Sequence, residues 1–129
     1  MAVVVSFTAR PEGRAALAAG AAESRRRSTE MIVVVCTRDG GADTDPELAD
    51  AAIGSLVGSG TSWSAHRIPN SEDLADDIIT VAEEVAAELI VIGLRRRSPV
   101  GKLILGSNAQ RILLDSACAV LAVKAAEDA

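Results

Sequence analysis

The sequence predicts an α/β protein: a single domain over residues 1–129, built on an open five-stranded parallel sheet with helices on both faces. Three observations predict it. Short unbroken runs of Val, Ile and Leu recur along the chain, as expected of strands buried on both faces. Alanine-rich or amphipathic stretches long enough for helices separate them. Strand and helix patterns alternate from end to end, which a parallel sheet requires because each crossover is a helix.

Composition agrees. With 129 residues, 49% of them hydrophobic, the chain can bury a substantial core. It carries one Phe, one Trp and no Tyr, so that core is aliphatic. A net charge of −5 and the lack of aromatic stacking platforms argue against a general nucleic-acid surface. Two cysteines, Cys36 and Cys118, are too few for a disulfide framework and read as buried small hydrophobes at distant strand ends. No apolar run approaches the length of a membrane span. The start, Met-Ala-Val-Val-Val, lacks a basic leader before a short apolar stretch, so a cytoplasmic protein is expected.

The elements follow in order. Val3–Phe7 is β-branched and apolar to Ser6, a first strand. Pro11 and Glu12 suit the first turn of a helix that runs through the alanines of 15–22. Arg25, Arg26 and Arg27 at its end complement the helix dipole and read as a solvated terminus, not as a nucleic-acid contact. Met31–Cys36 is the second strand. A polar Gly/Asp loop over 38–45 precedes Pro46 and a weak helix to about Val57, with Leu48, Ala52 and Leu56 on one face. Gly58-Ser59-Gly60 stops that helix. Residues 62–68 alternate, as expected of a half-exposed edge strand carrying Trp63 and His66. Ser71-Glu72-Asp73 caps the clearest helix, with Leu74, Ile78, Val81 and Val85 along one stripe.

The most informative stretch comes next. The run Leu89–Ile92 is a fourth strand ending at Gly93; a basic loop with Arg95, Arg96, Arg97 and Lys102 follows. Gly106-Ser107 opens a last helix with Ile112 and Leu113 facing inward, and Ala119–Val123 is the final strand before a frayed tail over 124–129. A strand end, a basic loop and a Gly-Ser helix start can cradle an anion on free backbone N–H groups. The same residues can equally be a helix cap and a loop glycine kept for folding.

This segment resembles the nucleotide loop of the universal stress protein family, whose pattern is Gly, two residues, Gly, nine residues, then Gly-Ser or Gly-Thr. Gly93 and Gly106-Ser107 fit the pattern, whereas Arg96 stands at its second glycine. The resemblance covers nearly the whole chain. It implies a Rossmann-like, adenine-nucleotide alpha-hydrolase-like fold with strand order 3-2-1-4-5 and a crevice between strands one and four. It implies an adenine nucleotide (ATP, ADP or AMP, with or without Mg²⁺) held without efficient catalysis by Gly93, Arg96, Gly106, Ser107 and Asn108, with Ser6, Thr8, Thr37 and Ile92 on the adenine side. Thr8 replaces the Asp usual in the family's nucleotide binders. Arg96 either contacts phosphate or fills the space phosphate needs, which would leave an interaction protein of the same fold. The resemblance also implies a homodimer through Ala119–Val123, the last strand pairing antiparallel with its copy.

Other chemistries find no support. Gly101-Lys102 lacks the spaced glycine of a phosphate-binding P-loop, and no Gly-x-Gly-x-x-Gly occurs. Asp39, Asp43 and Asp45 lack calcium-loop spacing, so they read as solvated loop acids. His66, the only histidine, reads as a surface residue far from the crevice. No residue stands out to activate water, and the expectation is a binding module, not an enzyme.

Overall fold

The structure is a computed structural model that describes residues 1–8, 10–37, 46–58, 60–96 and 103–125. The elements are β1 (Ala2–Phe7), α1 (Pro11–Arg27), β2 (Glu30–Thr37), α2 (Pro46–Val57), β3 (Trp63–Pro69), α3 (Leu74–Glu84), β4 (Ala87–Arg96), β5 (Leu103–Ile104), α4 (Ser107–Asp115) and β6 (Ala119–Lys124). β3, β2, β1, β4 and β6 form a parallel sheet in that order, which is the expected 3-2-1-4-5 arrangement with β6 as its fifth strand.

Alternation along the strands divides the core in two. Val3, Val5, Phe7, Met31, Val33, Val35, Leu89 and Val91 pack with α1 and α2 on one face. Val4, Ile32, Val34, Ile90 and Ile92 pack with α3 and α4 on the other. Strands buried on both faces explain why β1 and β2 read as continuous apolar runs. β3, at the edge, alternates half-buried Trp63, Ala65 and Arg67 with exposed Ser64 and His66, as expected.

Small residues set the closest approach. The inward stripe of α1 is Gly13, Ala16, Leu17, Gly20, Ala21 and Ser24. A Cβ built on Gly20 would overlap Val5 Cγ2, so this glycine is what lets α1 lie down on β1. The arginines at the end of α1 are engaged at the protein's own surface. Arg26 and Arg27 pair with Glu23, Arg27 reaches Glu88 at 3.1 Å, and Arg25 donates to Thr61 Oγ1 at 2.8 Å.

Four expectations need correction. β4 does not stop at Gly93; it continues through Arg96 and turns back as a hairpin, with Arg95 opposite Ile104 and Arg96 opposite Leu103 in antiparallel register. In α2 the inward residues are Ile53 and Val57, while Ala52 and Leu56 face outward because the helix docks a third of a turn from the face expected. The Leu48 side chain lies outside the described residues. In α4, Ile112 is buried but Leu113 is 40% exposed, the helix presenting only a narrow stripe to α3 and the sheet. Cys36 and Cys118 are free thiols, half-buried instead of buried, one near the end of β2 and the other just before β6.

The helix stop after α2 is as expected: Gly58 has φ +73° and its N–H bonds to Gly54 C=O at 3.1 Å. Lys124, placed in the tail by sequence, is instead the last residue of β6, opposite Leu94. The 38–45 loop with its aspartates, Ser59, Arg97, Gly101, Lys102 and residues 126–129 lie outside the described residues. Among those described, no helix is long and apolar enough to cross a membrane.

Candidate nucleotide cleft

The sheet itself opens the site. β1 stays paired with β2 as far as Phe7 opposite Val35, and β4 stays paired with β6 as far as Leu94 opposite Lys124. The pairing of β1 with β4 ends earlier, at Val5 opposite Val91. Beyond that point Ser6 and Phe7 diverge from Ile92 and Gly93. This is where the strand order reverses, since the chain passes leftward from β1 and then returns to β4 on its other side. Parallel sheets leave a crevice at such a point, at the carboxyl ends of the strands.

A cleft of about 330 Å³ occupies it, within the usual size range of small-molecule sites. Ser6 and Thr8 enter from β1 and its end, Glu12 and Gly13 from the first turn of α1, and Ile92, Gly93 and Leu94 from β4. Leu74 and Ile78 of α3 and Ile112 of α4 supply an apolar floor, while Gly106, Ser107, Asn108 and Ala109 supply the opposite rim. Of the nine residues expected at a site, seven line this one cleft: Ser6, Thr8, Ile92, Gly93, Gly106, Ser107 and Asn108. The side chains of Thr37 and Arg96 lie outside the described residues. Their backbones end β2 opposite Pro69 and β4 opposite Leu103.

The rim at α4 has the donors an anion needs. Gly106 is the N-cap and has no side chain to cap with, and the first helical bond runs from Gln110 N–H to Gly106 C=O at 3.0 Å. The N–H groups of Ser107, Asn108 and Ala109 therefore have no partner inside the helix, and the helix dipole adds positive potential there. Gly106 has ordinary extended angles (φ −67°, ψ 166°), and a Cβ built on it would meet nothing within 4 Å. Neither backbone strain nor packing among the described residues demands glycine at 106. Open space beside free N–H groups is what an approaching phosphate would use.

Gly93 is glycine for a different reason. A Cβ there would come within 2.9 Å of Glu12 Cβ and closer still to the Glu12 carbonyl carbon and oxygen. A Cβ on Gly13 would likewise overlap Thr8. These two glycines seat the first turn of α1 against the ends of β1 and β4. The sequence left Gly93 open between holding a phosphate and being kept for folding; in the structure its missing side chain makes room for the backbone of α1.

The far wall is tied down by charge. Asp73, N-cap of α3, accepts from Asp76 N–H at 3.1 Å and also pairs with Arg111 of α4. Arg111 reaches Asp76 at 3.2 Å and Asp115 at 3.6 Å as well. The Asp76 N–H, and after it the Arg111 guanidinium, hold the Asp73 carboxyl below its ordinary range. Asp73 and its neighbours in turn hold the Arg111 guanidinium more firmly protonated. This exposed strap fastens α4 to α3, the two helices that form the cleft floor.

Sequence reasoning missed Glu12, Gly13, Leu74, Ile78, Ala109 and Ile112 as cleft residues. One signal was available: the first turn of a helix following a parallel strand lies over the carboxyl end of the sheet, where ligands bind. His66 is exposed on β3, away from the cleft, as expected.

Comparison with known proteins agrees with this geometry. A model of the universal stress protein family matches residues 65–124. A universal stress protein of Mycolicibacterium smegmatis is 41% identical over 127 residues, which cover 95% of this chain and 96% of that one. The structure of a universal stress protein from Archaeoglobus fulgidus aligns with a TM-score of 0.76 at 32% identity, over 96% of this chain and 98% of its own. A universal stress protein from the same organism, solved in complex with dAMP, aligns with a TM-score of 0.71 at 27% identity over the same shares of the two chains. The fold, the crevice at the point of strand reversal and a near full-length relative all lead to one assignment: the chain belongs to the universal stress protein family.

Proposed function

We propose that this protein is a homodimeric module that binds an adenine nucleotide in the cleft between β1 and β4 and does not turn it over efficiently. One observation carries the reading: the unpartnered N–H groups of Ser107, Asn108 and Ala109 open onto the same cleft as the diverging ends of β1 and β4. The dAMP complex of the relative from A. fulgidus supports an adenine nucleotide as the ligand.

In this reading the phosphate sits at Gly106, Ser107 and Asn108, with the Ser107 hydroxyl as an additional donor. The base takes the side lined by Ser6, Thr8, Ile92 and Thr37. Arg96 adds a charge-assisted contact from the β4–β5 hairpin. Any Mg²⁺ arrives with a di- or triphosphate. Titration calorimetry with ATP, ADP and AMP, with and without Mg²⁺, tests the reading, and absence of heat with all three would reject it. Arg96→Gly weakens binding if the arginine holds phosphate and tightens binding if it obstructs. A phosphate-release assay should show turnover no faster than the buffer blank.

A rival reading is an interaction protein of the same fold that binds no nucleotide. It draws on one feature: Arg96 lies in a regular antiparallel pair, so the backbone at 96 has no need of the family's glycine. The calorimetric titration separates the two readings. The dimer rests on β6, an edge strand whose Val120, Leu121, Ala122 and Val123 are all only half-buried. Sedimentation equilibrium should give twice the mass of one chain; a monomer at micromolar concentration would refute it.

A further inference from the structure

The helix that carries the phosphate donors rests on little packing. α4 has nine residues, of which Ile112 alone is buried. A helix that short is marginal by itself in water, so its place depends on what fastens it. Ala109 packs partly against the core beside Ile112, and Gln110 Nε2 donates to Leu105 C=O at 3.0 Å. Arg111 adds a charged tie to another helix. Its guanidinium donates to Asp73, the N-cap of α3, and to Asp76 at 3.2 Å, while Asp115 lies 3.6 Å away on α4 itself. Both ends of the tie adjoin the cleft without entering it. Asp73 precedes Leu74 and Arg111 precedes Ile112, and Leu74 and Ile112 line the cleft, whereas Arg111, Asp73 and Asp76 do not. Asp73 also accepts from Asp76 N–H, so one carboxylate both starts α3 and receives α4.

We propose that Arg111 is a positioning residue: its pairing with Asp73 and Asp76 holds α4 against α3 so that the N–H groups of Ser107, Asn108 and Ala109 face the cleft. The inference rests on the adenine-nucleotide reading above for its ligand and on the ion pairs for its mechanism. Apparent affinity scales with the fraction of molecules whose site is already formed. One exposed ion pair shifts an equilibrium by up to about fivefold, so two that cross between the same helices give about three- to tenfold together. Bare electrostatics and the tie predict opposite signs for Asp73→Asn. Removing a negative charge near an anion site tightens phosphate binding, whereas loosening α4 weakens it. Asparagine is as good an N-cap as aspartate, so α3 still starts in place.

Amide hydrogen exchange of the ligand-free protein and calorimetry with AMP test the proposal together. Arg111→Met and Asp73→Asn should each weaken AMP binding about three- to tenfold. Both should speed exchange at amides 110–115 by about threefold or more and leave β1 and β2 unchanged. Arg111→Lys, which keeps the charge but not the planar fork, should fall between native and Arg111→Met. Asp115→Asn, whose pair stays within α4, should match the native protein within about twofold in both measurements. Asp73→Asn that binds AMP as tightly as the native protein, or more tightly, overturns the proposal. Unchanged α4 exchange in Arg111→Met overturns it too, as does faster exchange spread equally over β1 and β2. If the native protein gives no heat with AMP, the nucleotide reading falls, and the exchange result alone upholds or overturns the tie.

Discussion

Gly93→Ala separates the two purposes that glycines serve in this loop. Alanine is normally the better residue in a strand, so a neutral or slightly favourable effect is the default expectation. Here the new Cβ would lie 2.9 Å from Glu12 Cβ and nearer to the Glu12 carbonyl group. The obstacle is backbone, not the end of a flexible side chain, so the first turn of α1 must move. Overpacking of this kind costs about 1–3 kcal/mol. At about 4 °C per kcal/mol for a domain of this length, the melting temperature should fall by about 4–12 °C. Gly106→Ala is the control from the same motif. Its Cβ meets nothing within 4 Å and its φ of −67° suits any residue. Stability should fall by no more than about 1 kcal/mol, the cost of the poorer N-cap that alanine makes. Nucleotide affinity should nevertheless fall, because the methyl group occupies space beside the free N–H groups. Differential scanning calorimetry with and without AMP reads both effects. A Gly93→Ala protein as stable as the parent would refute the claim that α1 is seated on that glycine.

Three further outcomes are expected. Gly20→Ala, a change that stabilises most helix interiors by about 1 kcal/mol, should instead destabilise this protein in urea unfolding, since its Cβ would overlap Val5 Cγ2. The Asp73 carboxyl is held below its ordinary value of 3.8, first by the Asp76 N–H and then by Arg111, so folding favours its charged form. Its contribution is complete above that value and is lost as pH falls through the folded value; Asp73→Asn should therefore flatten the acid limb of a stability-versus-pH curve below about pH 4. Ile78 is fully buried and also floors the cleft, so Ile78→Ala should cost about 2–5 kcal/mol, lowering the urea midpoint without changing the slope.

What the sequence disclosed follows from which forces leave a periodic trace. Val3–Phe7 and Met31–Cys36 are visible because a strand buried on both faces must be apolar throughout. The α3 helix is visible because its stripe and its Asp73 cap agree. The β4–β5 pairing is not, because β4 ends in Arg95 and Arg96 and β5 is only the two residues Leu103–Ile104, too short to show a strand period. The inward face of α2 was misread because its own apolar residues, Leu48, Ala51, Ala52, Ile53, Leu56 and Val57, fall on more than one face, and it is Ile53 and Val57 that join the core with β1, β2 and α1. In the site, the spacing from Gly93 to Gly106-Ser107 pointed to Gly93, Gly106, Ser107 and Asn108, while Ser6, Thr8 and Ile92 came only with the family resemblance. Glu12 escaped although its place in the first turn of a helix that follows a parallel strand was a usable signal; the way α1 settles on Gly93 and Thr8 is tertiary and leaves no pattern in the sequence.

The end of β1, the Gly93 segment of β4 and the start of α4 are proposed to form one adenine-nucleotide site. Backbone amide NMR of the labelled protein during titration with AMP tests it most directly. Perturbed amides should cluster at Thr8, Gly13, Gly93, Leu94, Ser107 and Asn108, leaving β3 and the carboxyl end of α1 unchanged. Unperturbed spectra at about 1 mM AMP, an affinity too weak for function, or perturbations confined to the opposite end of the sheet around Cys118, would contradict it.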